Sequence, residues 1–486
     1  MATITELAWL DGTAQAELVR RGEVTPIELV DSAIERIERL NPKLNAVVTP
    51  LYEEARRQAA EAGKSPDAIY CGVPYLLKDL LAEYAGAPLT SGCSFLRRFV
   101  PPHDSELVSR LKRAGLIILG KTNTPEFGLL PVTEPRLFGP ARNPWNLERT
   151  PGGSSGGSCA AVASGMVSMA HANDSGGSIR IPSSCCGLFG LKPTRGRITL
   201  GPDVGDLMGG LAAEHAVTRS VRDSAALLDA TLGPMPGDPY FAELPARPYV
   251  EEVKRAPGRL RIALITASPV GTPIHPDCIR AAQDAARLCA SLGHEVTEDA
   301  LKLDGRCFVE SFMTVWAAGC AAGMDGWARA TGRALTEDEF EPFTWSFYQI
   351  GREIRASAYT LALAQLQGLA RALARFMESY DVALTPTLGA PPLPIGSLNS
   401  PPLSLLEAQQ RMTAFVPFTP IANVTGQPAM SVPLFWNAEG LPIGVQFMAR
   451  YGDEAMLFRL AAQLETERPW AGRRPPITAQ NRVFHL

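Results

Sequence analysis

Two short loops rich in glycine and serine carry the side chains with the clearest chemical potential in this sequence. Residues 151–158 read Pro-Gly-Gly-Ser-Ser-Gly-Gly-Ser, and residues 174–180 read Asp-Ser-Gly-Gly-Ser-Ile-Arg. Acyl transfer needs a hydroxyl nucleophile, a proton acceptor beside it, and amide donors around the oxyanion that develops. Glycines leave backbone N–H groups accessible, so the two loops together predict an acyl-transfer site. Either loop alone is equally typical of a flexible turn.

The elements around these loops predict a fold of the α/β class. The 43 glycines and 41 prolines are spread along the chain and separate helical from extended segments. One helix and one strand fit between Ser154 and Ser178, an arrangement that can bring the two serines together. Strands are predicted at 73–77, 116–119, 167–170, 261–265, 382–384, 429–434 and 443–448.

Helix boundaries are clearest where a capping signal precedes a periodic apolar pattern. Thr25 precedes Pro26, and Glu28 stands three residues after Thr25, which is the spacing of a capping box. Apolar residues then recur at helical spacing until the pair Asn41-Pro42, where we expect the helix to end. Further helices are predicted over 104–114, over 220–232 with Ser220 as the cap, and over most of 307–377.

Charge and composition argue against several classes of protein. The 46 basic and 50 acidic residues of this 486-residue chain nearly balance and form no block of like charge, so nucleic acid is not an expected partner. No apolar stretch reaches the roughly 18 residues of a membrane span, and early acidic residues argue against a signal peptide. We therefore expect a soluble, cytoplasmic protein that binds no membrane. The nine cysteines lack paired metal-ligand spacing, so they are expected to be small buried side chains, with no metal.

Two motifs point to other classes of enzyme. Residues 115–122 match the phosphate-binding pattern Gly-x4-Gly-Lys-Thr, but the variable positions are themselves a predicted strand, whereas a phosphate loop follows its strand and opens a helix. Residues 152–156 match the Gly-x-Ser-x-Gly turn of α/β-hydrolase esterases, which needs a preceding strand and a histidine base. Two prolines break the preceding segment and His215 has no recognisable setting, so the esterase stays the weaker alternative.

Taken with a third segment, the two serine loops resemble the amidase signature family. The family's hallmarks are Gly-Gly-Ser-Ser-Gly-Gly, found at residues 152–157, the second loop at residues 174–180, and an upstream Lys-Asp pair, found here as Lys78-Asp79. The likeness continues through residues 120–123, 142–145, 191–196 and 423–429, so it covers nearly the whole chain. One departure is Thr150, where serine often stands.

This resemblance implies a Ser–Ser–Lys triad that needs no metal or organic cofactor. Ser178 would be the nucleophile, Ser154 the bridging proton carrier held by a cis peptide bond, and Lys78 the general base. The oxyanion hole would consist of the backbone N–H groups of Ser175, Gly176, Gly177 and Ser178. The expected supporting residues are Ser155 in the hydrogen-bond network and Asp174 with Arg180 as an ion pair that shapes the loop.

Lys78 can act as a base only if its pKa falls well below that of a free lysine. That reference pKa is about 10.4, and only the neutral amine accepts a proton. The apolar run at residues 73–77 predicts that Lys78 is buried at a strand end, where desolvation disfavours the ammonium form. Asp79 would oppose this shift if it faced Lys78, but neighbouring residues on a strand point to opposite faces.

The resemblance also implies the fold and its division. The expected amidase signature fold is α/β, with a large mixed twisted β-sheet covered by helices on both faces. We expect a single amidase domain over residues 1–486. Its expected parts are an N-terminal helical segment (1–70), the signature core (71–232), a continuation of the sheet (233–303), a helical insertion or lid (304–378) and a C-terminal return to the sheet (379–486).

The substrate is predicted only as a class. Residues 13–20, 74–80, 141–147 and 219–223 resemble those of 6-aminohexanoate cyclic-dimer hydrolases, which are nylon-oligomer hydrolases within the family. Trp316 stands where those enzymes are expected to carry a cysteine, so anilides and carbamates (urethanes) join amides as candidates, although ordinary helix packing also explains a tryptophan there. The expected substrate contacts are Asn123, Ile179, Trp316 and Phe415.

Two assemblies are compatible with this sequence. One is an enzyme that acts alone or as a homodimer on a small amide or carbamate. The alternative is the amidase subunit of a tRNA-dependent amidotransferase complex, in which a partner subunit would bring tRNA. The helices predicted around residues 316–345 favour a private substrate pocket, and thus the first of these.

Overall fold

A single mixed sheet of 11 strands organises the chain in the computed structural model, which describes residues 7–62, 68–398 and 404–479. The strands are β1 Val47–Pro50, β2 Pro74–Lys78, β3 Ile117–Thr122, β4 Met169–Asp174, β5 Phe189–Lys192, β6 Ala213–Thr218, β7 Arg261–Leu264, β8 Glu295–Glu298, β9 Val382–Pro386, β10 Ala429–Trp436 and β11 Pro442–Ala449. They lie in the order β1-β3-β2-β4-β6-β5-β10-β11-β9-β7-β8. β2 is parallel to β3 and β4, and β7 is parallel to β8 and β9, whereas the remaining neighbours are antiparallel.

Fifteen α-helices surround this sheet in the described residues. They are α1 Gly12–Arg20, α2 Pro26–Leu44, α3 Tyr52–Ala62, α4 Glu106–Arg113, α5 Gly156–Ser164, α6 Arg180–Cys186, α7 Val221–Thr231, α8 Tyr249–Glu252, α9 Pro276–Ser291, α10 Gly305–Thr331, α11 Pro342–Glu353, α12 Ala356–Phe376, α13 Leu405–Phe415, α14 Thr419–Thr425 and α15 Glu454–Glu467. The predicted amidase signature fold, with its large mixed sheet, is confirmed.

Alternation along β2 shows why helices cover both faces of the sheet. Tyr75 and Leu77 belong to an apolar core that includes residues of α4, α7, α9 and α15. Leu76, between them, belongs to a second core on the opposite face, with residues of α2, α3 and α5. Successive side chains of a strand point to opposite faces, so a central strand buried on both faces is apolar throughout.

All seven predicted strands are present, together with four that were not predicted. β1, β5, β6 and β8 carry short or polar sequences that gave no strand signal. β7 follows the glycine- and proline-rich connector and is parallel to β9, so the sheet continues across the connector.

Helix α2 differs from its predicted boundary at one end. Its Thr25 capping box is present, with Thr25 Oγ1 accepting from the Glu28 amide and the Glu28 carboxylate accepting from the Thr25 amide. The expected end at Asn41-Pro42 is wrong, because the helix includes Pro42 and continues to Leu44. Pro42 lies in the last turn, so only Lys43 and Leu44 follow it in the helix. The helix ends where Asn45 adopts a left-handed conformation with φ 48°.

Residues 305–376 contain α10, α11 and α12, and both α11 and α12 pack on α10. By length and composition alone, α10 is the one helix in the described parts of the chain that is apolar enough to cross a membrane. Several of its apolar side chains, among them Phe308, Val315 and Met324, are instead buried within the protein. All nine cysteines are unpaired, and eight are buried, as predicted.

Candidate active site

The carboxyl ends of two parallel strands place Lys78 and Asn173 beside each other. Lys78 is the last residue of β2, and Asn173 is the penultimate residue of β4. β2 and β4 are parallel neighbours, so both side chains emerge at the same edge of the sheet. The first serine loop crosses this edge before α5 begins at Gly156, and it brings Ser154 to Lys78.

Lys78 is a fully buried amine between two polar partners. Its Nζ lies 2.7 Å from Ser154 Oγ and donates to Asn173 Oδ1 at 2.6 Å. Burial lowers the pKa of Lys78 to about 7, although the carboxylates of Glu214 and Asp174 act in the opposite direction. At neutral pH a substantial fraction of this amine is therefore uncharged and able to accept a proton.

Asp79 leaves Lys78 free of a close counter-ion, as the alternation of side chains predicted. Its carboxylate accepts from the Thr90 amide at 3.0 Å, and the neighbouring cation is Lys121. Burial raises the pKa of Asp79 to about 6, against the effect of Lys121. The lysine of the phosphate-loop-like motif is buried on β3, where its Nζ donates to the Ala82 backbone oxygen, so it does not face a bound phosphate.

The Gly153–Ser154 peptide bond is cis, as the family resemblance implied. The surrounding backbone approaches Ser154 closely at Gly128, which has φ 68°. A Cβ atom at Gly128 would lie 3.1 Å from Ser154 Oγ and 2.7 Å from a methyl carbon of Leu80. Gly128 therefore lets the neighbouring segment pack against the serine without displacing it.

Ser178 lies just before α6, and its hydroxyl faces an open cavity. Its side chain has no hydrogen-bond partner among the described residues, and Ser154 lines the same cavity. The amides of Ser175, Gly176 and Ser178 likewise have no acceptor in the described parts of the protein. The Gly177 amide differs from expectation, because it donates to Asp174 Oδ1 at 2.7 Å and is therefore committed to the loop.

Asp174 and Arg180 form the buried ion pair that the sequence predicted. Arg180 Nε and Nη2 each donate to an Asp174 carboxylate oxygen at 2.9 Å, and both side chains are fully buried. Burial alone would raise the pKa of Asp174, but the guanidinium outweighs it and holds this pKa at about 2. Asn423 completes the arrangement, accepting from Arg180 at 2.7 Å and donating to the Asp174 backbone oxygen at 2.9 Å.

Two cavities meet at Ser178. The first, the apolar chamber, has a volume of about 90 Å³ and is lined mainly by Leu130, Phe308, Phe312, Met313, Phe347 and Met412. The second, the wide chamber, has a volume of about 540 Å³ and includes Ser154, Asn173, Ser175, Glu214, Met324 and Trp327. Gly128, Leu129, Ser178 and Trp316 line both. A substrate carbonyl at Ser178 therefore has space on two sides.

The four expected substrate contacts separate into two groups. Trp316 lines both chambers beside Ser178, as expected of a pocket residue. Asn123, Ile179 and Phe415 are buried and line neither chamber, so the structure assigns them to packing. Asn123 Nδ2 donates to the backbone oxygens of Asn45 and Gly139, both at 3.1 Å. The family likeness of the segments that carry these residues did not distinguish a residue that faces the cavity from one that faces the core.

Three polar residues at the site were missed by the sequence interpretation. Asn173 contacts Lys78 directly, and Ser155 donates to the Asn173 backbone oxygen at a long 3.4 Å. His171 accepts from the Lys78 backbone amide at 3.2 Å and lies 2.5 Å from a Glu214 carboxylate oxygen. The available signal was the pair His171 and Asn173, two polar residues at alternate positions of a strand that otherwise begins with apolar residues.

Among the described residues, no histidine ring hydrogen-bonds to a serine of the first serine loop, as the esterase alternative would require. His215 Nε2 lies 2.8 Å from Ser224 Oγ, and burial lowers the pKa of this imidazole to about 3. The segment before Gly152 contains no strand, so the sharp strand-to-helix turn that an α/β-hydrolase nucleophile requires is also missing.

The fold and the site are those of an amide-hydrolysing enzyme. The sequence model of the family described as Amidase matches residues 28–458. The chain therefore belongs to the amidase signature family.

Its relatives and structural neighbours carry the likeness further. The chain is 41% identical, over 98% of both sequences, to a 6-aminohexanoate-cyclic-dimer hydrolase of Pseudomonas sp. strain NK87. It superimposes with a TM-score of 0.92 on a 6-aminohexanoate cyclic dimer hydrolase complexed with substrate, at 41% identity over 97% of this chain and 99% of the other. A bacterial aryl acylamidase matches with a TM-score of 0.87 at 26% identity, over 95% and 97% of the two chains.

Proposed function

We propose that this protein hydrolyses a carbon–nitrogen bond of small or oligomeric amides, anilides or carbamates through Ser178, Ser154 and Lys78. The observation that carries the proposal is the buried amine of Lys78, 2.7 Å from Ser154 Oγ and with its pKa lowered to about 7. A hydroxyl becomes a useful nucleophile only when a base can take its proton, and an uncharged lysine is such a base.

Acylation begins when Ser178 Oγ attacks the substrate carbonyl carbon. Its proton passes to Ser154 while the Ser154 proton passes to Lys78, so the relay ends with an ammonium group and a tetrahedral oxyanion. The free amides of Ser175, Gly176 and Ser178 are the available donors to that oxyanion. As the C–N bond breaks, the proton returns through Ser154 to the departing nitrogen.

Deacylation repeats the relay with water. The carbonyl of the acyl–Ser178 ester is attacked by a water molecule whose proton travels through Ser154 to Lys78. Collapse of the second tetrahedral intermediate releases the acid, and Ser178 Oγ recovers the proton. Every step uses side chains of this chain.

The relatives bear on the choice between hydrolysis and transamidation. The relative at 41% identity is named a hydrolase of a cyclic amide dimer, and the aryl acylamidase neighbour is named for anilide-type substrates. Both names favour hydrolysis over a subunit of a tRNA-dependent amidotransferase. The two chambers at Ser178 leave space for a small-molecule substrate on both sides of its scissile bond, which also favours hydrolysis of a small molecule.

A substrate panel tests the proposed function. Purified protein is incubated with linear alkyl amides, cyclic 6-aminohexanoate oligomers, anilides and aryl carbamates, and the products are identified by mass spectrometry. Release of a free amine from at least one class, with a burst of acylated Ser178 detected by peptide mapping, is the expected result. Inertness toward all four classes, together with no labelling of Ser178 by a fluorophosphonate, would contradict the proposal.

The pH dependence of the reaction follows from Lys78. Because the base must be uncharged, kcat/KM should rise about tenfold per unit as pH increases toward 7 and level off above it. In Asn173→Asp a carboxylate replaces the amide oxygen 2.6 Å from Nζ, which favours the ammonium form and should move the inflection to higher pH by about one unit or more. Initial rates between pH 5 and 10 measure both profiles.

Ser155→Ala is the matched control for that profile. Its hydroxyl contacts only the Asn173 backbone at 3.4 Å, so its inflection should stay at the wild-type position. A wild-type profile that is flat between pH 6 and 8, or an unmoved inflection in Asn173→Asp, would contradict the assignment of Lys78 as the base.

A further inference from the structure

We propose that the two chambers divide the substrate at the scissile bond, with the acyl half in the apolar chamber and the amine half in the wide chamber, and that Trp316 maintains this division. The inference rests on the proposed function, because it assumes that Ser178 attacks and that Ser154 returns the proton. It adds the orientation of the bound substrate, which the position of the triad alone does not give.

The position of Ser154, which donates the proton to the departing nitrogen, determines which half of the substrate lies in which chamber. Ser154 and Asn173 line the wide chamber and are absent from the lining of the apolar chamber, whereas Ser178 borders both. The departing nitrogen must lie within hydrogen-bond reach of Ser154 to receive its proton. The nitrogen and its substituent therefore occupy the wide chamber, and the substituent on the carbonyl carbon points the other way.

The apolar chamber fits a compact apolar acyl group. One wall is a column of rings at helical spacing on α10, where Phe308 and Phe312 stack at 6.1 Å and Phe312 and Trp316 at 5.2 Å between centroids. The chamber contains no charged residue in its described lining. A flat or short apolar group gains by contact with these rings, whereas a charged or long acyl group would lose its hydration or its space.

The wide chamber fits a longer amine half, and its charge selects among amines. Its lining includes Glu83, Asp203 and Glu214, and contains no lysine or arginine among the described residues. One carboxylate oxygen from each of Glu83 and Asp203 and one ring nitrogen of His103 lie within 4.8 Å of one another. Negative lining groups favour a distal ammonium over a distal carboxylate on the departing amine, in the manner of electrostatic complementarity at an interface.

Trp316 stands where the two chambers join. A Cβ atom at Gly176 would lie 3.6 Å from its indole ring, so the ring borders the backbone amides that await the oxyanion. A smaller side chain at this position would merge the chambers and remove the end wall of the apolar one. Trp316 is thus a specificity-determining residue, and its loss should relax the orientation of substrates.

A pair of isomeric amides tests the direction. N-Hexylphenylacetamide has a compact acyl half and a long amine half, and N-benzylheptanamide has the same atoms with the amide reversed. The two have similar alkyl-amide reactivity, so a ratio of kcat/KM reports the chambers. We expect the phenylacetyl isomer to be preferred by about tenfold or more, in the range that a few methylene groups produce in an apolar pocket.

Variants assign that preference to the proposed wall. Trp316→Ala should reduce the isomer ratio to within about threefold of unity, and Trp316→Phe should retain most of it. Trp345→Phe is the matched control, because Trp345 stacks on Phe340 at 5.8 Å in the same helical region and lines neither chamber. A Trp345→Phe enzyme with an altered ratio, or a Trp316→Ala enzyme with the wild-type ratio, would remove Trp316 from this role.

A second pair tests the charge of the wide chamber. The phenylacetyl amides of 1,6-diaminohexane and of 6-aminohexanoate have the same length and opposite distal charge. We expect the ammonium compound to be preferred by about tenfold at low ionic strength, with the preference narrowing as salt is added. The double variant Glu83→Gln/Asp203→Asn should reduce this preference, because only Glu214 of the three acidic lining residues remains, and should keep the isomer preference.

The outcomes separate this inference from the proposed function. Hydrolysis of both isomers with no preference, or with the reverse preference, overturns the division of the substrate and leaves the hydrolase assignment intact. Failure to hydrolyse any amide, with Ser178 unlabelled by a fluorophosphonate, overturns both. Product masses decide between these results directly, since each isomer releases a different acid.

Discussion

Ser178→Ala is expected to abolish amide hydrolysis, with kcat falling on the order of 10⁴- to 10⁶-fold. The side chain is the hydroxyl at the junction of both chambers, with no hydrogen bond to hold it away from a substrate. Alanine removes the oxygen that forms the acyl-enzyme and leaves the backbone amides of the loop in place. The measurement is single-turnover hydrolysis of the best amide of the panel, with acylated peptide mapped by mass spectrometry.

Ser175→Ala is the matched control for this variant. Ser175 belongs to the same loop and lines the wide chamber, but unlike Ser178 it does not also line the apolar chamber. Its kcat should remain within about tenfold of the wild type. Both variants should keep the wild-type midpoint of thermal unfolding, because neither hydroxyl has a buried partner. Substantial turnover by Ser178→Ala, with loss in Ser175→Ala, would move the nucleophile to the neighbouring serine.

Lys78→Met is expected to lower kcat on the order of 10⁴-fold, since it removes the amine that lies 2.7 Å from Ser154 Oγ and is placed to accept its proton. Methionine has a similar length, remains uncharged and suits a fully buried site. Lys78→Arg should be equally inactive, because a guanidinium cannot be deprotonated in this pH range. Steady-state kinetics and the rate of Ser178 labelling by a fluorophosphonate report the loss of nucleophile activation.

Lys192 provides the control for the effect of removing a buried lysine. It is also fully buried, and burial lowers its pKa to about 7, but its Nζ donates to the Pro193 backbone oxygen at 2.8 Å. Lys192 lines neither chamber, so Lys192→Met should retain activity per folded molecule even if its stability falls. Equal loss in both lysine variants at equal folded fraction would mean that a depressed pKa is not the basis of the mechanism.

The catalytic centre could be predicted from the sequence more fully than the pocket around it. Lys78, Ser154 and Ser178 lie in segments whose local composition is unusual, and parallel β2 and β4 bring the ends of those segments together. The pocket is built differently. The walls of the apolar chamber come largely from α10, α11 and α13, whose apolar residues have the same periodicity whether they face a cavity or a core. Because of that ambiguity, the sequence could not show that Trp316 lines the chambers while Phe415 packs inside the protein.

Strand prediction shows the same contrast between local and long-range causes. Apolar segments such as β3 and β11 were evident, because strands buried on both faces have continuous apolar sequences. β6 reads Ala-Glu-His-Ala-Val-Thr, and its Glu214 and His215 gave no strand signal. Their polarity is satisfied by His171 and Ser224, respectively, which lie on other elements. A strand whose polar side chains find buried partners elsewhere becomes recognisable only when the fold is known.

The fastening of Arg180 has a consequence for the order in which this enzyme matures during translation. The loop that carries Ser178 is fixed by Arg180, whose guanidinium donates to Asn423 and to Gln446, both at 2.7 Å. The ribosome must therefore add more than two hundred residues after Ser178 before that loop can take its final shape. A nascent chain that already contains Lys78, Ser154 and Ser178 therefore lacks the final shape of this loop until β11, which carries Gln446, has emerged and folded.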